Sequence, residues 1–270
     1  MRSSSLATLF FGAAGAFISQ VNAKQCAYGD DPSIIAHAGT PTGSAIVVNG
    51  STLYVSEPSC KKPSVGLLYL TDAFSIQFVN NKLLTDSFAR AGYLAVAPDM
   101  FNNDPAPFDL ATPGFNATDW TLRHNPTAIH PILATAVAYL KSQGINKIVA
   151  AGYCFGGRYA FRLLAPGMGV DAGFAAHPSL LEDSEILSIT KPISVAAAEI
   201  DAMMPPARRS QIEGLLGSNT SQPYQVTLYG GTAHGFGTRA NISDPEQKFA
   251  KEAAFYQAVR WFDAWVAGSL

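Results

Sequence analysis

The sequence around Cys154 is typical of a catalytic nucleophile. Cys154 follows the apolar run "IVAAGY" and precedes Phe155-Gly156-Gly157, after which a helix-like pattern begins. This is the spacing of a nucleophile elbow, G-x-S-x-G, in which a strand turns sharply into a helix, with cysteine in place of serine. The positive end of that helix would favour a thiolate. A buried cysteine before an ordinary glycine-rich turn has the same local pattern, so this stretch alone leaves both interpretations open.

Two residues downstream are of the types that a nucleophilic cysteine needs. Asp201 follows "ISVAAAEI" and His234 stands in "YGGTAHGFG", each just after a predicted strand. Because α/β-hydrolase triads run nucleophile, acid, base along the chain, the order Cys154, Asp201, His234 fits such a triad. His234 would take the thiol proton and later return one to the leaving group, while Asp201 would orient the imidazole. Taken singly, Asp201 also fits a turn or a helix cap, and His234 an ordinary loop residue.

The elements that would position these residues alternate between strands and helices. Asn49-Gly50, between two short apolar runs at 44–57, predicts a β-hairpin. The alternation predicts an α/β fold with a mostly parallel sheet and helices on both faces. Ligands bind such sheets at the carboxyl ends of the strands. A segment rich in Pro, Gly, Asn and Asp, residues 101–120, predicts a long loop of the kind that forms lids. Further strands are predicted at 65–72, 93–100, 145–154, 171–178, 191–201 and 223–231, and helices at 78–92, 127–144, 156–167, 205–216 and 245–266.

Three segments carry a resemblance to a known family. "GYCFGGRYA", "AAAEID" and "GGTAHGFGTR" resemble the dienelactone hydrolase family, especially its fungal members, and the likeness extends from the early hairpin to the last helix. The resemblance implies an α/β-hydrolase fold with Cys154, Asp201 and His234 as its triad. It further implies hydrolysis of a lactone or related ester through a thioester acyl-enzyme, without a metal or an organic cofactor.

The resemblance also assigns roles around the triad. The backbone N–H groups of Phe155 and Ala73 would form the oxyanion hole, where one donor is worth roughly 2.7–4 kcal/mol. Asp72 stands where bacterial members place a glutamate that helps to form the thiolate, although a plain turn residue fits the position equally well. Arg239, five residues after His234, is a candidate for gripping a carboxylate of the substrate. Asp72 and Arg239 are therefore the predicted substrate-binding residues.

Other residues near the predicted site have two interpretations each. His177 in "AAHPSL" follows a predicted strand and could face the pocket, but a hydrogen-bonded structural histidine is the favoured interpretation. Four aromatic residues of the 101–120 segment are candidates for lining a pocket, although ordinary loop packing would explain them as well. They are Phe101, Phe108, Phe115 and Trp120.

The N-terminus has the pattern of a secretory signal peptide. A basic start is followed by an apolar stretch and by small residues up to Ala23, which predicts cleavage there and a secreted protein of residues 24–270 forming one α/β-hydrolase domain. A membrane anchor is the alternative, but the apolar stretch is shorter than the roughly 20 residues that span a bilayer. Four glycosylation sequons agree with passage through a eukaryotic secretory pathway. Their acceptors are Asn49, Asn116, Asn219 and Asn241.

The chain has three cysteines, an odd number for a secreted protein. Cys26 and Cys60 both lie in the loop-rich first part, whereas Cys154 ends a predicted core strand. We therefore predict a Cys26–Cys60 disulfide and a separate thiol at Cys154.

The charge and the motifs of the chain limit the kinds of ligand and partner that it is expected to bind. A net charge of −2 gives no reason to expect nucleic acid or an anionic membrane. The sequence contains no H-E-x-x-H, no paired cysteine spacing and neither of the glycine-rich nucleotide motifs, so no metal or nucleotide cofactor is expected. We expect a small-molecule lactone or ester as substrate, with the oligomeric state open and a monomer favoured.

Two other functions remain compatible with the same residues. A broader carboxylesterase acting on aromatic or plant-polymer esters would use the same triad. A secreted binding protein that keeps the fold without turnover would hold small aromatic or acidic ligands in the same pocket, but its cysteine would not react with an activated ester.

Overall fold

The computed structural model describes residues 34–59, 63–218 and 222–267. The predicted signal peptide, residues 1–23, and the predicted disulfide partners Cys26 and Cys60 lie outside these ranges, as does the sequon at Asn219. In the described part of the chain the strands are β1 (Ser44–Val48), β2 (Ser51–Ser56), β3 (Val65–Leu70), β4 (Leu94–Pro98), β5 (Lys147–Tyr153), β6 (Ala172–Ala176), β7 (Ile193–Ile200) and β8 (Tyr224–Ala233). The α-helices there are α1 (Val79–Arg90), α2 (Ala117–Arg123), α3 (Pro126–Ser142), α4 (Phe155–Arg162), α5 (Asp183–Leu187), α6 (Pro206–Ser218), α7 (Phe236–Arg239) and α8 (Pro245–Phe262).

The strands form one eight-stranded sheet in the order β1-β2-β4-β3-β5-β6-β7-β8. β1 and β2 are antiparallel to each other, and β2 is antiparallel to β4, whereas every other neighbouring pair is parallel. This is the mostly parallel α/β sheet that the sequence predicts. Its carboxyl edge gathers the loops that follow β3, β5, β6, β7 and β8.

The hairpin between β1 and β2 turns at Asn49 and Gly50. Their φ angles of 48° and 81° are both positive, as the two central residues of a type I′ turn require. Glycine adopts such angles without steric cost and asparagine tolerates them. The predicted hairpin is confirmed.

The core has one layer on each face of the sheet because successive strand residues point to opposite faces. In β3, Leu68 and Leu70 belong to the layer that contains α3, α4 and α6, whereas Leu67 and Tyr69 belong to the layer that contains α1 and α8. All four side chains are fully buried. A strand covered on both faces therefore needs a continuous apolar run, which is what the sequence shows there.

The structure differs from the prediction at several short elements. The segment predicted as a loop at 101–120 ends earlier, because Asn116 caps α2 by accepting the N–H groups of Thr118 and Asp119. Helices α5 and α7 were not predicted, since five and four residues are too few to show a helical period. The final helix ends at Phe262, and a π-helical turn, Asp263–Ala267, follows it.

Candidate active site

Cys154 occupies a sharp turn between β5 and α4. Its φ of 52° and ψ of −113° place it in a sparsely populated conformation for a residue with a side chain, which is typical of strained functional positions. The turn is held from both sides, since the Cys154 N–H donates to the Ala176 carbonyl at 3.0 Å and the Gly157 N–H donates to the Cys154 carbonyl at 3.0 Å. The strand therefore delivers the thiol to the carboxyl edge of the sheet.

Two glycines make this turn possible. A Cβ atom on Gly156 would overlap the Leu70 carbonyl at the end of β3, and a Cβ atom on Gly152 would overlap the Gly156 backbone. The Gly156 N–H also donates to the Thr71 carbonyl at 3.0 Å. The glycine spacing around Cys154 thus has a packing reason, because the elbow and the β3 loop are in backbone contact.

Cys154, His234 and Asp201 form one hydrogen-bonded chain. The Sγ atom of Cys154 lies 3.0 Å from Nε2 of His234, and Nδ1 of His234 lies 2.9 Å from each carboxylate oxygen of Asp201. The Asp201 side chain is fully buried, and His234 is partly exposed. The structure therefore brings together the three residues that the sequence predicts as a triad.

The surroundings of His234 favour its protonated form. Burial opposes the positive charge, but the hydrogen bonds to Asp201 and to Cys154 outweigh it and raise the pKa of His234 to about 9. At neutral pH the imidazole is therefore a strong acceptor for the proton of the neighbouring Cys154 thiol.

Asp201 has a structural role as well as a contact with the histidine. Its Oδ1 atom accepts the N–H groups of Met203 at 2.8 Å and Met204 at 3.2 Å, so it closes the turn after β7. The sequence left a turn residue and an orienter of histidine as alternatives for Asp201. The structure shows that one carboxylate makes both sets of contacts.

His177 packs against the imidazole of His234. It is fully buried, its ring centroid is 5.1 Å from that of His234, and its Nε2 atom accepts the Gly237 N–H at 3.2 Å. Burial lowers the pKa of His177 well below its usual value, and the neighbouring positive charge of His234 acts in the same direction. A neutral, hydrogen-bonded histidine that supports the His234 loop is the interpretation that the structure bears out.

A cavity of about 200 Å³ opens over Cys154 and His234. Ala73 and Phe155, the predicted oxyanion-hole residues, both line it, and the Ala73 carbonyl is held by the Ala106 N–H at 2.9 Å. The other lining residues come mainly from the 101–121 segment and from the loops after β3, β6 and β7. They are Phe74, Ala106, Leu110, Phe115, Ala117, Trp120, Thr121, Ser179, Leu180, Met203 and Arg239.

The four aromatic residues predicted for the pocket divide into two pairs. Phe115 and Trp120 line the cavity. Phe101 is buried behind it, with its ring centroid 4.8 Å from Trp120. Phe108 is exposed and packs its ring 5.1 Å from Phe74. The second pair therefore supports the walls of the cavity from behind and from outside.

Asp72 does not line the cavity, contrary to its predicted role in binding substrate. The side chain is fully buried, and it accepts hydrogen bonds from Asn81 Nδ2 at 2.8 Å, the Phe74 N–H at 3.1 Å and the Thr238 hydroxyl at 3.3 Å. Burial raises the pKa of Asp72, while the hydrogen bond from Asn81 and the charge of Arg239 act against that rise. The short side chain of Asp72 is thus engaged by Asn81, Phe74 and Thr238 rather than by Cys154.

Arg239 does line the cavity, and it is also the ionic partner of Asp72. Its Nη1 atom lies 3.1 Å from Asp72 Oδ2, and its guanidinium carbon lies 4.9 Å from the centroid of the Phe74 ring. The guanidinium thus joins the loop after β3 to the loop that carries His234.

Ser179 is a site residue that the sequence analysis missed. Its Oγ atom lies 3.7 Å from Cys154 Sγ, and its N–H donates to the Cys154 carbonyl at 3.1 Å. Nothing local in "HPSL" marks this serine, because its contact with Cys154 depends on β6 pairing beside β5.

Within the ranges that the structure describes, no group of three or more His, Cys, Asp or Glu side chains could hold a metal ion. No helix within those ranges is long and apolar enough to cross a membrane.

Comparison with known proteins identifies the family. Residues 52–266 match the model of the dienelactone hydrolase family. The chain is 36% identical over 244 residues to "Hydrolase pyvD" of Aspergillus violaceofuscus, covering 90% of this chain and 97% of that protein. It is 30% identical over 239 residues to "Dienlactone hydrolase 2" of Gibberella moniliformis, covering 85% of this chain and 91% of that protein.

Solved structures show the same fold. A Klebsiella pneumoniae protein described as a dienelactone hydrolase superposes with a TM-score of 0.68 at 16% identity, covering 82% of this chain and 97% of that one. The fold and the candidate site define an α/β-hydrolase of the class that cleaves carboxylic esters and lactones. Within that class, the chain belongs to the dienelactone hydrolase family.

Proposed function

We propose that this protein hydrolyses a lactone or a small carboxylic ester through a thioester on Cys154. His234 acts as the general base and then the general acid, and Asp201 orients its imidazole. The observation that carries the proposal is the unbroken chain of contacts from Sγ of Cys154 through His234 to Asp201, at 3.0 Å and 2.9 Å. A nucleophile, a base and an orienting acid within hydrogen-bond distance are the arrangement that covalent ester hydrolysis requires.

In the first half of the reaction, His234 Nε2 takes the thiol proton and Sγ attacks the carbonyl carbon. The carbonyl π electrons move to the oxygen, which becomes an oxyanion beside the N–H groups of Phe155 and Ala73. When the carbonyl re-forms, the carbon–oxygen single bond to the leaving group breaks. His234 gives its proton to the leaving oxygen, so the products are a thioester on Cys154 and an alcohol.

In the second half, water releases the acyl group. His234 takes a proton from the water molecule while the water oxygen attacks the thioester carbon. Collapse of the second oxyanion intermediate then breaks the carbon–sulfur bond. The acid product leaves and the proton on His234 restores the starting state. For a lactone the alcohol stays attached to the acyl chain, so the product is a single hydroxy acid.

The elbow supports this chemistry. Helix α4 begins at Phe155, so the positive end of its peptide dipoles faces Cys154 and stabilises negative charge at the thiolate and at the oxyanion. The Ser179 hydroxyl lies 3.7 Å from Sγ and can donate to the sulfur once the thiolate has formed, because a thiolate has no proton to give.

Replacement of the nucleophile tests the proposal. We expect Cys154→Ala to abolish turnover of 4-nitrophenyl acetate and of a lactone while the thermal unfolding temperature stays near that of the wild type. Replacing His37 by Gln serves as a control, because His37 pairs with Glu252 away from the cavity. Retention of wild-type turnover by a folded Cys154→Ala protein would refute the proposal.

A broader carboxylesterase acting on aromatic esters is the second candidate. The observation that favours it is the cavity wall, which is formed largely by apolar and aromatic side chains. Comparison of kcat/KM for a panel of lactones and acyclic aromatic esters separates the two activities.

Export is proposed on separate grounds. Residues 1–23 have the pattern of a signal peptide, and the acceptors Asn49, Asn116 and Asn241 are exposed. At Asn116 the side-chain oxygen caps α2, which leaves the amide nitrogen available for a glycan. N-terminal sequencing of protein from the culture medium of a eukaryotic host should begin at residue 24, and glycosidase treatment should lower its mass. Non-reducing peptide mapping should join Cys26 to Cys60.

A further inference from the structure

The cavity contains a cation that is already engaged by the protein. The Nη1 atom of Arg239 lies 3.1 Å from Asp72 Oδ2, and the face of the guanidinium covers the Phe74 ring at 4.9 Å. Its Nη2 atom lies so near Gly235 that a Cβ atom on that residue would overlap it. An acid partner, an aromatic ring and a backbone segment therefore occupy three sides of the guanidinium.

Asp72 keeps Arg239 in this position. The carboxylate is fully buried, and Arg239 is its cationic partner among the ion pairs of the described residues. If Arg239 turned to bind a carboxylate of the substrate, Asp72 would remain as a buried negative charge with only neutral donors. Leaving one member of a buried ion pair uncompensated is strongly unfavourable. The charge of Arg239 is thus balanced within the protein before any substrate arrives.

The rest of the cavity would receive an apolar group. Aromatic walls come from Phe74, Phe115, Trp120 and Phe155. These rings offer no hydrogen-bond donor to replace the hydration that a carboxylate would lose against them, whereas an aromatic ring would pack edge or face against them. The volume of about 200 Å³ suits one ring, since a cavity of roughly 150 Å³ in another protein accommodates benzene.

The mouth of the cavity is apolar as well. Leu110, Leu180 and Met203 line the cavity, are exposed to solvent, and come from three different loops. We refer to these three residues as the rim. Exposed apolar side chains grouped around a cavity commonly mark a contact surface for an apolar ligand.

We propose that the substrate is an uncharged aromatic ester or lactone, with one ring inside the cavity and a further apolar part across the rim. This inference rests on the proposed hydrolase function and specifies its substrate class. It departs from the expectation that Arg239 grips an acidic substrate.

The direct test uses the full-length wild-type protein and matched activated esters. 4-Nitrophenyl butyrate and 4-nitrophenyl hemisuccinate differ only in a terminal methyl against a terminal carboxylate. We expect kcat/KM for the butyrate to exceed that for the hemisuccinate by at least about tenfold, since the carboxylate is desolvated beside a cation whose charge Asp72 already balances. 4-Nitrophenyl benzoate should be cleaved at least as efficiently as the butyrate. Equal or preferred turnover of the hemisuccinate would overturn the inference.

Two variants test the role of the ion pair. Asp72→Asn removes the charge that balances Arg239, so the preference for the butyrate should fall several-fold. Asp183→Asn removes the partner of Arg208 in an exposed ion pair outside the cavity, and it should leave the preference unchanged. A folded Asp72→Asn protein with the wild-type preference would contradict the charge-balance argument.

Salt dependence gives a measurement that needs no variant. If Arg239 captured the substrate carboxylate, rising NaCl would screen that attraction and lower kcat/KM for the hemisuccinate alone. We expect the ratio of the two kcat/KM values to stay constant with NaCl, and a selective loss for the hemisuccinate would count against the inference.

The Cys154→Ala variant distinguishes a failure of the substrate class from a failure of the proposed hydrolase function. If it abolishes turnover while the wild type prefers the hemisuccinate, only the substrate class is wrong, whereas retained turnover would refute the hydrolase mechanism itself.

Discussion

Asp201 binds His234 and closes the turn after β7 with the same carboxylate. Its oxygens lie 2.9 Å from Nδ1 of His234, and Oδ1 also accepts the Met203 N–H at 2.8 Å. The acid of the candidate triad is therefore fixed by the backbone that follows it, which holds the imidazole in one orientation toward Cys154.

Asp201→Asn should separate these two roles. Asparagine keeps an oxygen that can accept the Met203 N–H, so the fold should persist. Its neutral amide no longer stabilises the imidazolium or enforces the tautomer, and kcat should fall by about 10²–10⁴-fold. Steady-state kinetics with a lactone and circular dichroism check both parts. A kcat within a few-fold of the wild type would exclude Asp201 as the orienting acid.

The raised pKa of His234 predicts a pH dependence that differs between substrates. An alkyl ester or lactone needs a proton on its leaving oxygen, so kcat/KM should fall as the pH rises through about 9 and the imidazolium is lost. A 4-nitrophenyl ester has a leaving group that departs without protonation, and its profile should lack this fall. Identical profiles for the two substrates at pH values above about 8 would contradict the assignment.

Gly156→Ala should disrupt the elbow. The added Cβ would overlap the Leu70 carbonyl, which belongs to backbone and cannot move aside as a flexible side chain can. We expect a loss of stability of about 2–4 kcal/mol, measured by urea unfolding, together with loss of activity. The matched control is Gly214→Ala in α6, where a Cβ meets no atom within 4 Å and the change should be neutral or stabilising by about 0.5–1 kcal/mol. Equal stability of the two variants would show that the close contact at Gly156 is unimportant.

His177 should act as a positioning residue for His234. Its Nε2 atom accepts the Gly237 N–H at 3.2 Å, and the two imidazole rings are in contact. His177→Leu leaves that N–H without its partner, so we expect a loss of about 1–3 kcal/mol of stability and a fall in kcat with little change in KM. His177→Gln supplies another acceptor and should restore part of kcat. A stability loss with unchanged kcat in the leucine variant would leave His177 only a structural role.

Lys251 should make the fold less stable at neutral pH than at high pH. The side chain is only 3% exposed, and burial lowers its pKa from 10.5 to about 8. Because the folded-state pKa is depressed, the buried charge disfavours folding below pH values of about 8, and this penalty disappears as the pH rises towards the unfolded value.

Lys251→Met should therefore stabilise the protein near neutral pH by roughly 2–3 kcal/mol, with the gain shrinking as the pH rises. Lys248→Met, one turn away on the exposed side of α8, should have little effect. Thermal unfolding across the pH range measures both. Destabilisation by Lys251→Met near neutral pH would mean that the hydrogen bond from Lys251 to the Thr238 carbonyl outweighs the buried charge.

The sequence predicted the parts of the fold that depend on local pattern. Continuous apolar runs gave the buried parallel strands, and Asn49-Gly50 gave the hairpin turn. The order of Cys154, Asp201 and His234 was informative because the carboxyl ends of parallel strands lie at one edge, where the three side chains meet.

What the sequence could not supply depends on contacts between distant segments. Asp72 was expected at the substrate, yet its carboxylate is drawn inward by Asn81, Thr238 and Arg239, and two of these partners lie more than 160 residues away. Ser179 reaches Cys154 only because β6 pairs with β5. Such neighbours follow from strand order and side-chain packing, which no single stretch of sequence encodes.

The most direct test of the central claim is to identify the residue that carries the acyl group. His234→Gln should slow deacylation more than the first attack on an activated ester, so a thioester should accumulate. After reaction with 4-nitrophenyl acetate, acid quenching and proteolysis, mass spectrometry should find one acetyl group on the peptide that contains Cys154. An acetyl group on Ser179, or turnover with no covalent adduct at any residue, would contradict a mechanism through Cys154.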